Sequence, residues 1–494
     1  MDRKPVSRTA LSWLWLVLGS FCFVFLGWRF NVPLASWLAP LFLIRFFRDR
    51  PRWPATLAAI PLLAVASFVQ LNGGWDLDPW MMYAFCLLRP GAFLAALYLD
   101  RALRRRLPIL LSTLVYPAVY LAVDYAVSFT PLGTVMSASA TQFGFPAVAQ
   151  LASITGIWGI GFLSGWAASA LNTAWDLRSG KALSRRMAGL VAVVLAAVLC
   201  YGSARSALAR PSSPTVRVGS VTVEHPRDYW TWIDRETPRA VVEAHAGELS
   251  SIQEALFAQS ARAVAAGAKI VFWSEGNGVV PEDQEAAFRQ RAAAFAKAQG
   301  IWFAPAVVVL RYGSTLSDNK ILVFSPDGTP AFTYVKTKSW YPTGSDGVLK
   351  TVDTPYGRLG AAICFDMDFP SFIRGLGRKK ADIVLVPSFD TERIRQYHTE
   401  AGLMRGLENG FSVVRQVNQG TSMAIDGSGR VLARQEYFET ADRLMIADVP
   451  TKRIGTPYAV LGDWFAYAGI LLAAALVAAG AMDLRRKPQG SAPA

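Results

Sequence analysis

Apolar runs of membrane-spanning length fill the first 210 residues and recur once near the end, and no other feature limits the possible folds as strongly. A spanning helix needs about 20 mainly apolar residues. Seven runs approach that length before residue 210: 11–28, 32–47, 53–70, 80–99, 109–130, 147–175 and 187–208. The second is short and interrupted by proline, and an eighth covers 464–482. With 494 residues, 52% of them hydrophobic, the composition fits membrane segments better than one larger soluble core.

The net charge of +14 is gathered into short clusters between apolar runs, which fits a topology signal and argues against a nucleic-acid surface. Arg3, Lys4 and Arg8 precede the first run, and Arg45, Arg48, Arg50 and Arg52 follow the second. Arg101, Arg104, Arg105 and Arg106 follow the fourth, Lys181, Arg185 and Arg186 the sixth, and Arg485, Arg486 and Lys487 the eighth. The loops around Asn31, at 72–78 and at 131–145 carry almost no positive charge. Both termini are therefore expected in the cytoplasm, with 212–462 on the opposite face. The first run is expected to stay as an anchor, because no small-residue cleavage site follows it. Three regions result: a membrane domain of seven transmembrane helices (1–210), an extracytoplasmic domain (211–462), and a final helix with a basic cytoplasmic tail (463–494). Asp124 lies inside the fifth run, where an ionisable side chain marks either a structural polar contact or a functional cavity.

From Thr215 the pattern changes to short apolar runs alternating with amphipathic helical stretches at 244–266 and 286–299. The runs include TVRVGSVTV, KIVFW, WFAPAVVVL, KILVFS, AAIC, DIVLVPS, FSVVRQV, TSMAID and RLMIADV. Such alternation predicts a layered α/β domain whose sheets are covered by helices. SPDGT and DGSGR, each between apolar runs, predict hairpins. No glycine-rich phosphate loop adjoins a helix, and His225, His245 and His398 are too scattered to suggest a metal ligand set.

Cys22, Cys86 and Cys200 belong to the long apolar runs, so Cys364 is the one cysteine outside them and cannot form a disulfide within its own domain. It ends a short β-type run and precedes a Phe369-Pro370 turn, a placement that presents a thiol at a sheet edge. A thiol there reads either as a small buried hydrophobe or as a nucleophile, and the second reading needs a base or cation nearby. Two other strand ends offer them: KIVFW leads to Glu275, and AFTYVK ends in Lys336 with Lys338 close behind. Singly, each reads as a solvated strand-end charge. Together, a carboxylate that moves the thiol proton and an ammonium that holds an oxyanion suffice for acyl transfer through a thioester without histidine.

The order Glu, Lys, Cys at successive strand ends resembles the nitrilase (carbon-nitrogen hydrolase) superfamily. Its fusion to preceding and trailing membrane runs is similar to the apolipoprotein N-acyltransferase family. The resemblance rests on VFWSEGN, YVK, ICFDMDFPSFIR, TGIWGIGFL, MRGLENGFSVVRQVNQG and TPYAVLGDWF. It implies a polytopic α-helical membrane domain plus an α/β nitrilase-like α-β-β-α sandwich. It further implies Glu275 as general base, Lys336 as the cation and Cys364 as nucleophile. The implied reaction moves a fatty acyl chain from a phospholipid to the N-terminal amine of a lipoprotein's diacylglyceryl-cysteine, at a bacterial inner membrane, in a monomer, with no cofactor, metal or nucleic acid. Trp230, Trp232, Trp340 and Tyr341, with Tyr229, flank the proposed site and are expected to form a substrate-binding lid, because Trp and Tyr favour the membrane interface. Phe365 and Asp366 replace the family's Tyr-Glu pair after the nucleophile and are the remaining candidates for substrate contact.

Three further stretches depart from the family pattern. Ser274-Glu275 stands for Pro-Glu, and in Pro342-Thr343-Gly344-Ser345-Asp346 Ser345 takes the place of the second glutamate of Pro-Phe-Gly-Glu, for which Asp346 could substitute only after a one-residue shift. Ser388–Arg393 replaces an Asn-Asp-Ala-Trp-Phe-Gly loop. Two other readings stay open: a membrane-anchored amidase or hydrolase in which water replaces the amine, and a catalytically silent homologue that binds lipoproteins.

Overall fold

The structure, a computed structural model, describes residues 8–74, 79–177, 180–209, 211–233, 237–312, 314, 316 and 318–486. Arg3, Lys4 and Lys487 of the expected basic clusters, and 75–78 of an expected loop, lie outside the described residues. The chain divides into two compact units, Met1–Ser203 with Asp463–Ala494, and Ala204–Gly462.

The first unit is helical. By length and composition, five helices among the described residues suffice to cross a membrane: Arg52–Leu71, Pro79–Leu103, Ile109–Val127, Lys181–Leu208 and Trp464–Met482. A sixth is obtained if Pro146–Thr155 and Ile157–Asp176 are counted as one broken span, but they meet at 119°. Gly156, at φ 66°, supplies that bend, which falls inside the apolar run 147–175. The expected second span is the 15-residue helix Ala35–Asp49 with Pro40 inside it. At about 1.5 Å per residue it covers roughly 22 Å, less than the hydrocarbon core of about 30 Å. The first apolar helix, Ala10–Val24, is also short.

Outward faces of these helices carry exposed apolar side chains such as Trp53, Leu57, Val65 and Val193, as helices solvated by lipid require. Inside, Phe23 meets Phe93 edge-on at 5.0 Å, and a Cβ on Gly19 would approach Leu43 to 2.8 Å, so small residues let the helices close up. Arg48 and Asp100 form a buried bidentate pair, Nε to Oδ2 and Nη2 to Oδ1, both at 3.0 Å. Part of the expected basic cluster is therefore internal structure. Asp124 accepts hydrogen bonds from Ser137 Oγ at 2.6 Å and Ser139 Oγ at 2.9 Å, a structural polar contact with a buried loop.

The second unit has two sheets between helices. In the first sheet Leu444–Pro450, Thr215–Val221, Ile270–Trp273 and Trp302–Ala304 are successive neighbours. The WFAPAVVVL run is one strand line interrupted at Pro305: Phe303 pairs Phe324 and Ala306 pairs Ile321 in the same antiparallel register, with Leu322 N–H donating to Pro305 O. Proline has no N–H to give, so the ladder skips there. On the other flank, Ile270 pairs Trp302 and Gly278 pairs Val307, with more residues on the Ile270–Gly278 side, so Ser274–Asn277 loop out of the strand line. Both expected hairpins form, with Ser325 N–H to Thr329 O and Asp426 N–H to Arg430 O.

The second sheet runs Val431–Glu436, Thr421–Ile425, Ser412–Asn418, Ile383–Phe389, Gly357–Ala361, Thr351–Thr354. Helices Ala246–Ala265 and Glu285–Gln299 seal the first sheet through Leu256, Phe257 and Phe288 against Val271, Trp273 and Phe303. Helix Arg395–Asn409 lies on the second, with Thr399 Oγ1 donating to Thr421 O. Ser220 and Gln416 hydrogen-bond from one sheet to the other. The result is the expected α-β-β-α sandwich.

Candidate active site

Glu275 occupies the loop that leaves the first sheet at Ser274–Asn277. Gly276, at φ 74°, turns the chain, and the Tyr229 hydroxyl donates to Gly276 O at 2.8 Å and Asn277 O at 3.2 Å. The carboxylate, 5% exposed, is thereby held in place. Its Oε1 accepts from Lys336 Nζ and from Asn319 Nδ2, both at 2.6 Å, and its Oε2 accepts from Phe389 N–H at 3.0 Å. Lys336 directly follows strand Pro330–Val335, and its own N–H is tied to Asn319 O at 2.9 Å. Burial alone would lower the ammonium's pKa, but the Glu275 carboxylate more than offsets this and holds it above the ordinary lysine range.

Cys364 begins a short helical turn, Cys364–Asp368, just after strand Gly357–Ala361. Its φ of 45° is in the left-handed region that side chains other than glycine seldom adopt. The sulfur donates to Phe389 O at 3.3 Å. The main-chain groups of Phe389 thus touch both the acid and the thiol. Burial, then the negative charge of Glu275, push the thiol pKa above its usual value, against the opposing pull of Lys336 and Arg415. At rest the sulfur is a thiol, and its proton must move when it attacks.

The structure brings Glu275 and Lys336 into direct contact and joins Glu275 to Cys364 through the Phe389 peptide. The other sequence candidates separate. Trp230 packs on Phe389 with ring centroids 4.3 Å apart and lies so close to Gly276 that a Cβ there would sit 2.8 Å from it. Trp340 stacks on Phe365 at 5.3 Å. Trp232 is a correction: it is 6% exposed and stacked on His245 at 4.1 Å, a core position, as is Tyr229 with no exposed surface. The five aromatic residues do not act as one lid. Tyr341 is 54% exposed and borders a cavity of about 190 Å3 that none of Glu275, Lys336 and Cys364 lines.

Asp366 is also corrected. It is fully buried, and its carboxylate accepts from Tyr334 OH (2.7 Å), Ile363 N–H (2.8 Å), Lys338 N–H (2.7 Å) and Thr337 N–H (3.2 Å). With its acceptors occupied, it ties the nucleophile's turn to the segment after Lys336 and has no oxygen to spare for substrate. Burial outweighs these bonds and pushes its pKa up to about 6. Asp346, the shifted candidate for the missing glutamate, is exposed and paired with Lys350.

Sequence reasoning missed a second charged group at the site. His398, on helix Arg395–Asn409, donates through Nε2 to Asp368 Oδ2 at 2.7 Å and through Nδ1 to Asp390. Arg415 Nη2, on strand Ser412–Asn418, donates to Asp390 Oδ2 at 3.1 Å. Ligand atoms of Cys364, Asp390 and His398 lie within 4.8 Å of one another, a spacing compatible with a cation site. Asp390 and His398 are bonded to each other, however, and Arg415 to Asp390, so these groups already neutralise one another as ion pairs. Burial would lower His398, but the Asp390 and Asp368 carboxylates overcome it and push the imidazole up to about 9.

Known proteins share this domain. Residues 219–457 match the family model described as carbon-nitrogen hydrolase. The chain is 30% identical over 141 residues to the apolipoprotein N-acyltransferase of Bdellovibrio bacteriovorus, which is 27% of this chain and 26% of that protein. It is 34% identical over 116 residues to the enzyme of the same name from Haemophilus influenzae, 22% of each. A deaminated glutathione amidase of Yersinia enterocolitica is 30% identical over 124 residues, 23% of this chain and 43% of that one. The chain thus aligns with about a quarter of the N-acyltransferases' length and less than half of the amidase's. Among solved structures, an amidase from Nesterenkonia sp. AN1 in complex with butyramide is 17% identical, covering 51% of this chain and 95% of that one with a TM-score of 0.40.

Proposed function

Residues 219–457 are a carbon-nitrogen hydrolase domain, and from that premise we propose that the chain is a membrane acyltransferase working through a thioester on Cys364. The observation that carries this reading is the contact of Lys336 with Glu275 and the link from Glu275 through the Phe389 peptide to Cys364, in a chain that also bears membrane-length helices. The resemblance to the N-acyltransferase family implies the substrates: a phospholipid donor and the N-terminal amine of a diacylglyceryl-cysteine lipoprotein.

In the first half-reaction the Cys364 sulfur bonds to the acyl carbonyl carbon of the phospholipid ester while Glu275 takes the thiol proton. The carbonyl oxygen becomes an oxyanion beside the Lys336 ammonium. Collapse breaks the ester C–O bond, the lysophospholipid oxygen takes the proton from Glu275, and a thioester is left on Cys364. In the second half the lipoprotein amine attacks the thioester carbon, Glu275 accepts an amine proton, and the C–S bond breaks to give the amide. The proton then returns to sulfur. Both substrates are lipids, and attachment to membrane helices raises the effective concentration of enzyme and substrate in one layer.

Incubating the full-length protein with phosphatidylethanolamine vesicles and analysing the Cys364 peptide by mass spectrometry tests the reading. An added fatty acyl mass is expected, absent in Cys364→Ala and discharged onto a synthetic diacylglyceryl lipopeptide. No acyl adduct on Cys364 would overturn it. A hydrolase is the second reading, favoured by Asp346 being turned to Lys350 and so not replacing the missing glutamate. Release of free fatty acid with no acylated lipopeptide would select it.

A further inference from the structure

Four buried charges lie beside the nucleophile on four different elements. Asp368 ends the turn that Cys364 begins, and Asp390 follows Phe389, whose carbonyl accepts from the sulfur and whose N–H holds Glu275. His398 bonds to both aspartates, and Arg415 bonds to Asp390 and, through Nε, to Thr399 Oγ1 at 3.1 Å. Asp390 and Arg415 have no exposed side-chain surface, and Asp368 and His398 have 2% and 4%. Breaking into a buried ion cluster is costly, so its members are fixed relative to one another.

We propose that the Asp368–His398–Asp390–Arg415 cluster positions Cys364, locking its turn to the Phe389 peptide and setting how readily the sulfur gives up its proton. The inference rests on the reading of Cys364 as nucleophile. His398 is the brace, because it bonds both to the turn that starts at Cys364 and to the residue after Phe389. The charges facing it are Asp368 from the turn, Asp390 from the end of strand Ile383–Phe389, and Arg415 from strand Ser412–Asn418. With His398 protonated, two cations balance two anions. Arg415 and Lys336 then favour the thiolate, while Asp390 and Glu275 oppose it. Arg415 also keeps one guanidinium nitrogen, Nη1, buried without a hydrogen-bond partner. Room for this side chain depends on Gly402, where a Cβ would lie 3.2 Å from Nη1. Removing the charge of His398 leaves a net negative cluster beside the sulfur and makes the thiolate harder to form.

The rate of iodoacetamide alkylation at Cys364, followed across pH in the full-length protein and assigned by peptide mass spectrometry, reads this directly. His398→Gln is expected to move the midpoint to higher pH. Below the midpoint, alkylation then slows roughly tenfold for every pH unit by which the midpoint rises. Adding Asp368→Asn restores charge balance and is expected to return the midpoint to that of the unaltered protein. An unchanged midpoint in His398→Gln, or no return in the double variant, overturns the proposal. If His398→Gln alone does not fold, the double variant is compared with the unaltered protein, and a displaced midpoint overturns the proposal. If the double variant does not fold either, the cluster is a folding element only and the proposal is likewise overturned. Alkylation needs no lipid, so the expected midpoint shift and its return here, beside an unacylated Cys364 in the vesicle experiment, would reject the acyltransferase and leave the cluster's role standing.

Discussion

Asp366 carries more of the site's geometry than its place next to the nucleophile suggests. Four donors converge on its carboxylate, so Asp366→Asn presents an amide N–H2 to groups that are themselves donors. A cost of about 1–3 kcal/mol is expected for each buried donor left unpaired. The effect depends on pH. The folded-state pKa of about 6 exceeds the ordinary aspartate value of 3.8, so the folded protein binds the proton more tightly than the unfolded chain does. That contribution is complete below the unfolded value and disappears as pH rises through about 6. The stability gap between the native protein and Asp366→Asn should therefore widen as pH falls from 8 to 5, which thermal melting across that range measures. A constant gap would show that Asp366 does not titrate there. The placement of Glu275, Lys336 and Cys364 was legible in the sequence because each lies within three residues of the end of a short strand. His398, Asp390 and Arg415 were not, since a histidine within a helix, an aspartate in a loop and an arginine inside a strand each look ordinary until folding brings them together. Trp232 was misplaced because interfacial and core tryptophans look alike in sequence.

Among the elements, the interruption at Ser274–Asn277 matters most. A continuous strand would point successive side chains to alternate faces of the sheet, whereas the loop-out gives Glu275 an orientation of its own. Tyr229 maintains it by bonding to two consecutive carbonyls. Tyr229→Phe should cost about 1 kcal/mol in stability and slow acylation of Cys364 more than it weakens lipid binding, as acyl-adduct formation against phospholipid concentration would reveal. Gly276→Ala should be worse, because its φ of 74° disfavours a side chain and the new Cβ would meet Trp230. Activity unchanged in Gly276→Ala would mean that the loop is not held as described. Alternation of strands and helices made a layered α/β domain readable from sequence, while the sandwich came from the family resemblance and the ladder skip at Pro305 was not read. The loop-out was invisible, because Ser-Glu-Gly-Asn reads as a strand end.

At the scale of the whole molecule, hydropathy located the apolar helices, of which five among the described residues have spanning length and composition as single helices. A bend at Gly156 and the 15-residue length of Ala35–Asp49 are details that averaging over a run conceals. The helical unit has an ionic tie of its own in Arg48–Asp100. Asp100→Asn should destabilise that unit by up to about 3–5 kcal/mol by removing the charge of the bidentate partner of the buried guanidinium, which keeps a longer contact to Asp176 at 3.5 Å. Arg48→Met combined with Asp100→Leu should recover much of the loss. Thermal unfolding in detergent checks both, and equal melting of Asp100→Asn and the native protein would remove the pair as a stabilising contact. The link between acid and thiol has a different vulnerability, because it is built from the peptide of Phe389 and from no side chain at all. Most replacements at that position leave it standing, so a mutational scan would score the site as tolerant. Proline, which has no N–H, is the one exchange that removes the Glu275 contact outright, and a junction this important to the chemistry would go unnoticed in any survey limited to alanine.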